Sequence, residues 1–81
     1  MAEVLVRYFA AAAESAGVEE ERVLVEPATV GRLQEDLIAR HGPGMARVLR
    51  NGSFLVDGVV SRRPEQALGV QVDVLPPFAG G

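Results

Sequence analysis

Only one stretch of this chain can hold a long one-sided helix, and most of what surrounds it is written in the period of a strand. From Val30 to His41 the apolar residues Val30, Leu33, Leu37 and Ile38 recur at i, i+3, i+7 and i+8, while Arg32, Asp36 and Arg40 stand four apart on the polar side. Thr29 is a good N-cap in front of this run, and Gly42-Pro43 ends it. A single helix with one apolar stripe must bury that stripe against another layer, and a sheet is the layer the rest of the chain can supply.

Five segments carry the strand signal. Glu3–Phe9 alternates, with Val4, Val6 and Tyr8 on one face and Glu3, Leu5, Arg7 and Phe9 on the other. Glu20–Glu26 repeats the pattern, with Val23 and Val25 inward and Arg22, Leu24 and Glu26 outward. Ser53–Val56 and Val59–Ser61 flank Asp57-Gly58, a strong hairpin signal. Val70–Leu75 places Val70, Val72 and Val74 inward and Gln71, Asp73 and Leu75 outward, before Pro76 and Pro77 end strand pairing. Shorter helical pieces are expected over Ala10–Ala16, capped by Gly17, over Met45–Leu49, and as one turn over Pro64–Leu68. The expected fold class is α+β, a mixed sheet of about five strands with one main helix packed on one face. Residues 1–75 form the domain and residues 76–81 a flexible tail.

Composition removes most chemistries. At 81 residues there is room for one core, and no apolar run approaches the length of about 20 residues that spans a membrane. The start lacks the basic and apolar regions of a secretory signal, so a cytoplasmic protein without membrane contact is expected. Cysteine is absent, which excludes disulfides, thiolate metal sites and a cysteine nucleophile, and no metal site is expected. Lysine is absent as well, the eight cations all being arginine, so no side-chain amine is available for a Schiff base or for self-conjugation. A net charge of -3 without a basic stripe argues against nucleic acid. No nucleophile with a positioned base can be assembled, and the chain is not expected to be an enzyme by itself.

What remains is one face and one tail. If the helix covers the valine face, Leu5, Phe9 and Leu75 stand on the open face, with Val59, as an apolar patch for a partner. Leu75 leads into Pro76-Pro77-Phe78-Ala79-Gly80-Gly81. The prolines hold the segment extended and lower the entropy lost on entering a pocket, and Phe78 can anchor it. Gly80 and Gly81 can thread a channel too narrow for side chains, and a glycine carboxylate is an unhindered acyl group. Other charged positions read as structural: His41 complements the helix dipole, Arg62-Arg63 and Glu19-Glu20-Glu21 are solvated, and Asp57 and Gly58 form a turn.

Val6-Arg7-Tyr8-Phe9-Ala10 near the start and Val74-Leu75-Pro76-Pro77-Phe78-Ala79-Gly80-Gly81 at the end, together with the length, resemble the small subunit of molybdopterin synthase. That family consists of β-grasp, ubiquitin-like sulfur carriers. The likeness spans essentially the whole chain, and its most specific part is the Pro-Pro-x-Ala-Gly-Gly ending; Phe78 stands where the family often has a smaller apolar residue.

The resemblance implies that an E1-like adenylating enzyme uses ATP to activate Gly81, that a sulfurtransferase supplies sulfur, and that the resulting thiocarboxylate serves the large synthase subunit. There it converts cyclic pyranopterin monophosphate to a dithiolene. It also implies that Phe9, Val59 and Leu75 contact the partner, that residues 76–80 insert with the tail, and that no cofactor is permanently bound. Carriers for thiamin, tRNA thiolation or cysteine synthesis share the Gly-Gly end. So do ubiquitin-like modifiers, and an interaction domain with an inert tail is a further alternative.

Overall fold

The two alternating runs at opposite ends of the chain become neighbours at the centre of one sheet. The computed structural model describes residues 2–77. Its elements are β1 (Ala2–Tyr8), α1 (Ala11–Ala16), β2 (Glu20–Val25), α2 (Val30–His41), α3 (Pro43–Asn51), β3 (Ser53–Val56), β4 (Val59–Val60) and β5 (Gln71–Leu75). The strand order is β2-β1-β5-β3-β4. β1 and β5 run parallel, and the other adjacent pairs are antiparallel. This is the expected α+β mixed sheet, with the topology of a β-grasp.

Alternation decides the inner face. Val4, Val6 and Tyr8 of β1, Val23 and Val25 of β2, Phe54 and Val56 of β3, and Val72 and Val74 of β5 are all buried. α2 lays Val30, Leu33 and Leu37 on this layer, and α3 adds Met45 and Val48. Each fully buried aliphatic side chain contributes about 1.5–3 kcal/mol relative to exposure. Ile38 does not join them and is 38% exposed. At about 100° per residue it lies about 120° around the helix from the midline of Leu33 and Leu37.

Four local expectations change. Helix α3 is longer than Met45–Leu49, because Pro43 opens it at a position where a missing N–H costs nothing. Gly42, at φ 87°, serves as the C-cap of α2 and the N-cap of α3. Helix α1 starts at Ala11, and Ala10 takes φ 52° and ψ -121°, the first central position of a II′-like turn closed by the Ala12 N–H donating to the Phe9 carbonyl at 3.0 Å. Val70 precedes β5 rather than pointing into the core, and is 77% exposed.

The fourth change is the segment 64–68, which is not helical. It runs across the start of α2, where the first N–H groups of any helix lack intrahelical acceptors. Val30 N–H donates to the Gln66 carbonyl and Gly31 N–H to the Pro64 carbonyl, both at 2.9 Å, while Leu68 N–H returns to the Ala28 carbonyl at 3.0 Å. A Cβ on Gly31 would lie 3.0 Å from the Pro64 Cβ, so glycine permits this approach. Satisfying the end of α2 outweighs the local helical tendency of Pro64–Leu68.

Candidate functional site

β5 delivers the tail, and its last residues fix where the tail begins. Val74 pairs with Tyr8 on one side and Phe54 on the other, and its carbonyl accepts the Phe9 N–H at 3.1 Å. Leu75 pairs with Ser53 at the end of the ladder. Pro76 and Pro77 have no N–H to continue it; Pro76 is half-buried and Pro77 exposed. Phe78, Ala79, Gly80 and Gly81, the remainder of the expected tail and its reacting end, lie outside the described residues.

The register assigns the open face of the sheet row by row. Phe9, beyond the end of β1, follows the same parity as Arg7 and stands at the end of the sheet with Leu75; both are half-buried. The guanidinium of Arg7 lies 5.2 Å from the centroid of the Phe9 ring, a cation–π contact that holds the ring against the sheet. In the next row Arg7 pairs with Asp73, Asp73 with Leu55, and Leu55 with Val60. Leu55 is diagonal to Leu75, so Phe9, Leu75, Leu55 and Val60 make an apolar corner around the root of the tail. Leu5 lies beyond the Arg7–Asp73 row, beside Arg22 and Gln71.

Val59 is not on this face. It is 69% exposed, but it pairs with Val56, whose side chain points into the core. The hairpin explains the exchange. Asp57 and Gly58 have φ 49° and 86°, the two positive values of a type I′ turn, so the loop holds two residues and Val60, not Val59, falls opposite Leu55. Counting the register through that turn would have selected Leu55 and Val60 from sequence.

Asp57 does more than turn the chain. Its Oδ1 accepts the N–H groups of Val70 at 3.1 Å and Gln71 at 3.0 Å, tying the hairpin to the first residue of β5. Arg63 reaches Glu65 at 3.7 Å with both side chains exposed, a pair of little energetic consequence.

On the opposite side of β1, Glu21 joins a polar cluster instead of facing solvent, whereas Glu19 and Glu20 are exposed as expected. Tyr8 Oη donates to Glu21 Oε2 at 2.5 Å, Arg40 donates to Glu21 Oε1 at 3.1 Å, and His41 Nε2 lies 2.6 Å from Glu21 Oε2. A carboxylate only accepts, so His41 carries its proton on Nε2. The rings of Tyr8 and His41 meet edge to face at 5.7 Å. Burial pushes the Tyr8 phenol above its ordinary value, and the Glu21 carboxylate adds to the shift. For Glu21, burial acts upward, but the hydrogen bonds from Tyr8, His41 and Arg40 outweigh it and hold the carboxyl below its ordinary value. Glu21 and His41 therefore lock β1, β2 and the end of α2 together rather than facing water.

A half-open cleft of about 390 Å³ beside Phe9 is lined by Arg7, Tyr8, Phe9, Ala10, Ala13, Glu19 and Glu20, which include no nucleophile with a base beside it. Among the described residues no His, Asp and Glu cluster is arranged to hold a metal ion, and no helix is long and apolar enough to cross a membrane.

A sequence profile described as ThiS family matches residues 6–81, from the middle of β1 through the Gly-Gly end. The chain belongs to the ThiS family. Its members are small ubiquitin-like sulfur carriers that work with partner enzymes and are generally non-catalytic. Among solved structures, the Haloferax volcanii small archaeal modifier protein 1 is 25% identical, with a TM-score of 0.77 over 96% of this chain and 100% of that one. A Pyrococcus furiosus protein provisionally assigned as molybdopterin converting factor subunit 1 is 27% identical, with a TM-score of 0.76 over 96% of this chain and 100% of that one. The small archaeal modifier protein 1 of Methanosarcina acetivorans, at 24% identity and a TM-score of 0.80 over 100% of this chain and 98% of that one, adds support for the fold alone. No match is found among curated proteins.

Proposed function

We propose that this chain is the sulfur-carrier subunit of a molybdopterin synthase, with the C-terminal Gly81 as the group that carries sulfur. A free carboxylate is a poor acyl donor because its leaving group would be oxide. An E1-like adenylating enzyme solves this by joining the Gly81 carboxylate to AMP from ATP, with release of pyrophosphate. Sulfide then displaces AMP and leaves a C-terminal thiocarboxylate directly, or a persulfide loaded by a sulfurtransferase displaces AMP to give an acyl disulfide that a thiol reduces to the same thiocarboxylate; its sulfur is a nucleophile supplied without any cysteine in the carrier. The large synthase subunit receives the tail and provides the pocket in which that sulfur passes to cyclic pyranopterin monophosphate.

The observation that carries the reading is the family match running through the Gly-Gly end, on a tail that leaves the sheet beside an apolar corner. Phe9 and Leu75, with Leu55 and Val60, give a partner something to grip next to the chain end it must receive. Docking energy gathered there orients the terminus and converts an encounter into an aligned step. Val59, exposed beside the hairpin turn on the other face of the sheet, lies apart from this set.

The test is to incubate the chain with its adenylating enzyme, ATP and sulfide, take an intact mass, and then add large subunit and pterin precursor. A gain of about 16 Da, the exchange of oxygen for sulfur at an acyl group, followed by dithiolene product, is the expected result. The same gain without product moves the sulfur to thiamin, tRNA or cysteine synthesis. Absence of any gain under conditions that load a known carrier removes the proposal.

The similarity to small archaeal modifier protein 1 favours a second reading, a ubiquitin-like protein modifier. There the same adenylate is passed on to an amine of another protein, and adducts linked to Gly81 in a lysate supplied with the adenylating enzyme would identify it.

A further inference from the structure

Gly52 has φ -97° and ψ -163°, a conformation open to any residue, so its own backbone does not call for glycine. The last carbonyl of β5 does. A Cβ built on Gly52 would overlap the Leu75 carbonyl oxygen, lie 3.1 Å from its carbonyl carbon, and sit 2.8 Å from the Val48 carbonyl oxygen. These are backbone atoms with no rotamer to retreat to.

The surroundings decide which side would give. Gly52 N–H donates to the Val48 carbonyl at 2.8 Å, fixing it to the last turn of α3, and Ser53 beside it is already in the ladder. Up to Val74, β5 is bonded on both sides. Beyond Leu75 the prolines donate nothing to a neighbour. Leu75, paired with Ser53 at the very end of the ladder, is therefore less restrained than Gly52.

From these contacts we propose that Gly52 is a positioning residue for the C-terminal tail. Its bare α-carbon lets the Leu75 carbonyl lie against the start of β3 and sets the direction in which Pro76 and Pro77 leave the sheet. The inference rests on the reading of Gly81 as the reacting end. The two prolines have fixed φ, so a shift of about 1 Å at their root changes the direction in which they leave the sheet. A misplacement of about 1 Å at the reacting atoms costs on the order of 100-fold in rate.

The test uses the full chain in an Ala10→Gly background, where relief of a positive-φ alanine supplies spare stability. Gly52→Ala is compared with Gly69→Ala, whose new Cβ would overlap the Asp57 carboxylate at the far end of β5. For each, thermal unfolding, kcat and KM of loading by the adenylating enzyme are measured. Because the chain has no cysteine, spin labels at Glu35→Cys and Ala79→Cys report the tail direction without interference.

We expect Gly52→Ala to fold and keep KM within about twofold, while kcat falls about 30- to 100-fold and the mean label distance changes. Gly69→Ala should lose stability with kcat and distance unchanged. The proposal is overturned if folded Gly52→Ala loads at the parent kcat, if its label distance is unchanged, or if both variants lose kcat in step with stability. Failure of Gly52→Ala to fold even in the stabilised background also overturns it, since Gly52 would then serve the fold alone. If the parent itself is not loaded, the sulfur-carrier reading fails, and the label distance still decides whether Gly52 aims the tail.

Discussion

Tyr8 and Phe9 are consecutive, and they face two differently finished regions of the same sheet. Tyr8 is 3% exposed, and its hydroxyl, the Glu21 carboxylate, His41 and Arg40 satisfy one another within the chain. Phe9 meets Leu75 and the Arg7 guanidinium on one side and an open cleft on the other. The charged cluster, which by residue type looks more like chemistry, is internally complete and holds the fold. Among the described residues no second layer covers the apolar corner, which lies where the chain leaves the sheet. In a carrier the residues that await a partner are those whose physical needs the chain leaves unmet.

The comparison is broken most severely at the tail. Deleting Gly80 and Gly81 should reduce loading by at least about 1000-fold, because the acyl group no longer reaches the activating site, with an unchanged unfolding temperature. A truncated chain that still loads would make the tail inert.

On the inner side, Glu21→Ala leaves Tyr8 and His41 without their shared acceptor, and should cost about 2–3 kcal/mol by thermal or urea unfolding, with loading intact at temperatures where the protein is folded. The same cluster predicts a pH dependence at both extremes. Glu21 is held below its ordinary value of 4.5, so as pH falls through 4.5 the unfolded chain takes up a proton first and stability is lost toward the lower folded value. Tyr8 is held above its ordinary 10.0, so its contribution is full below pH 10 and is lost as the pH rises beyond it. Glu21→Gln should flatten the acid limb in urea titrations; an unaltered limb would locate the acid sensitivity elsewhere.

Phe9→Ala should weaken association with the partner by about 10- to 30-fold, read by calorimetry, with little change in unfolding temperature. A larger effect on folding than on binding would make Phe9 a core residue. The smallest change is Ala10→Gly, which relieves φ 52° at a turn position that favours glycine and should stabilise by about 1 kcal/mol in urea unfolding. A loss of stability there would show that Ala10 is not strained.

The core was readable because alternation and helical spacing are local. Val4, Val6, Val23, Val25, Val72 and Val74 lie inside as their parity requires. Parity also placed Glu21 with Val23 and Val25, and His41 one turn beyond Leu37 on the helix stripe, yet their charge suggested solvent. What decided otherwise was mutual satisfaction across β1, β2 and α2. Val59 was misassigned because its face depends on the number of residues in the turn. The path of Pro64–Leu68 answers the N–H groups of α2, and the demand on Gly52 comes from Leu75; both causes are distant in sequence. In the site, Phe9 and Leu75 were legible from alternation, whereas Leu55 and Val60 needed the register.

The central position of β5 also bears on force. It is the third of five strands, paired with β1 in parallel and β3 in antiparallel orientation. A pull on the chain end runs along the strand and loads both ladders in shear, so their bonds must fail together instead of peeling one at a time. Had the tail grown from β2 or β4 at the edges, only one ladder would resist. The domain can be gripped and tugged by its end while the sheet behind it stays whole.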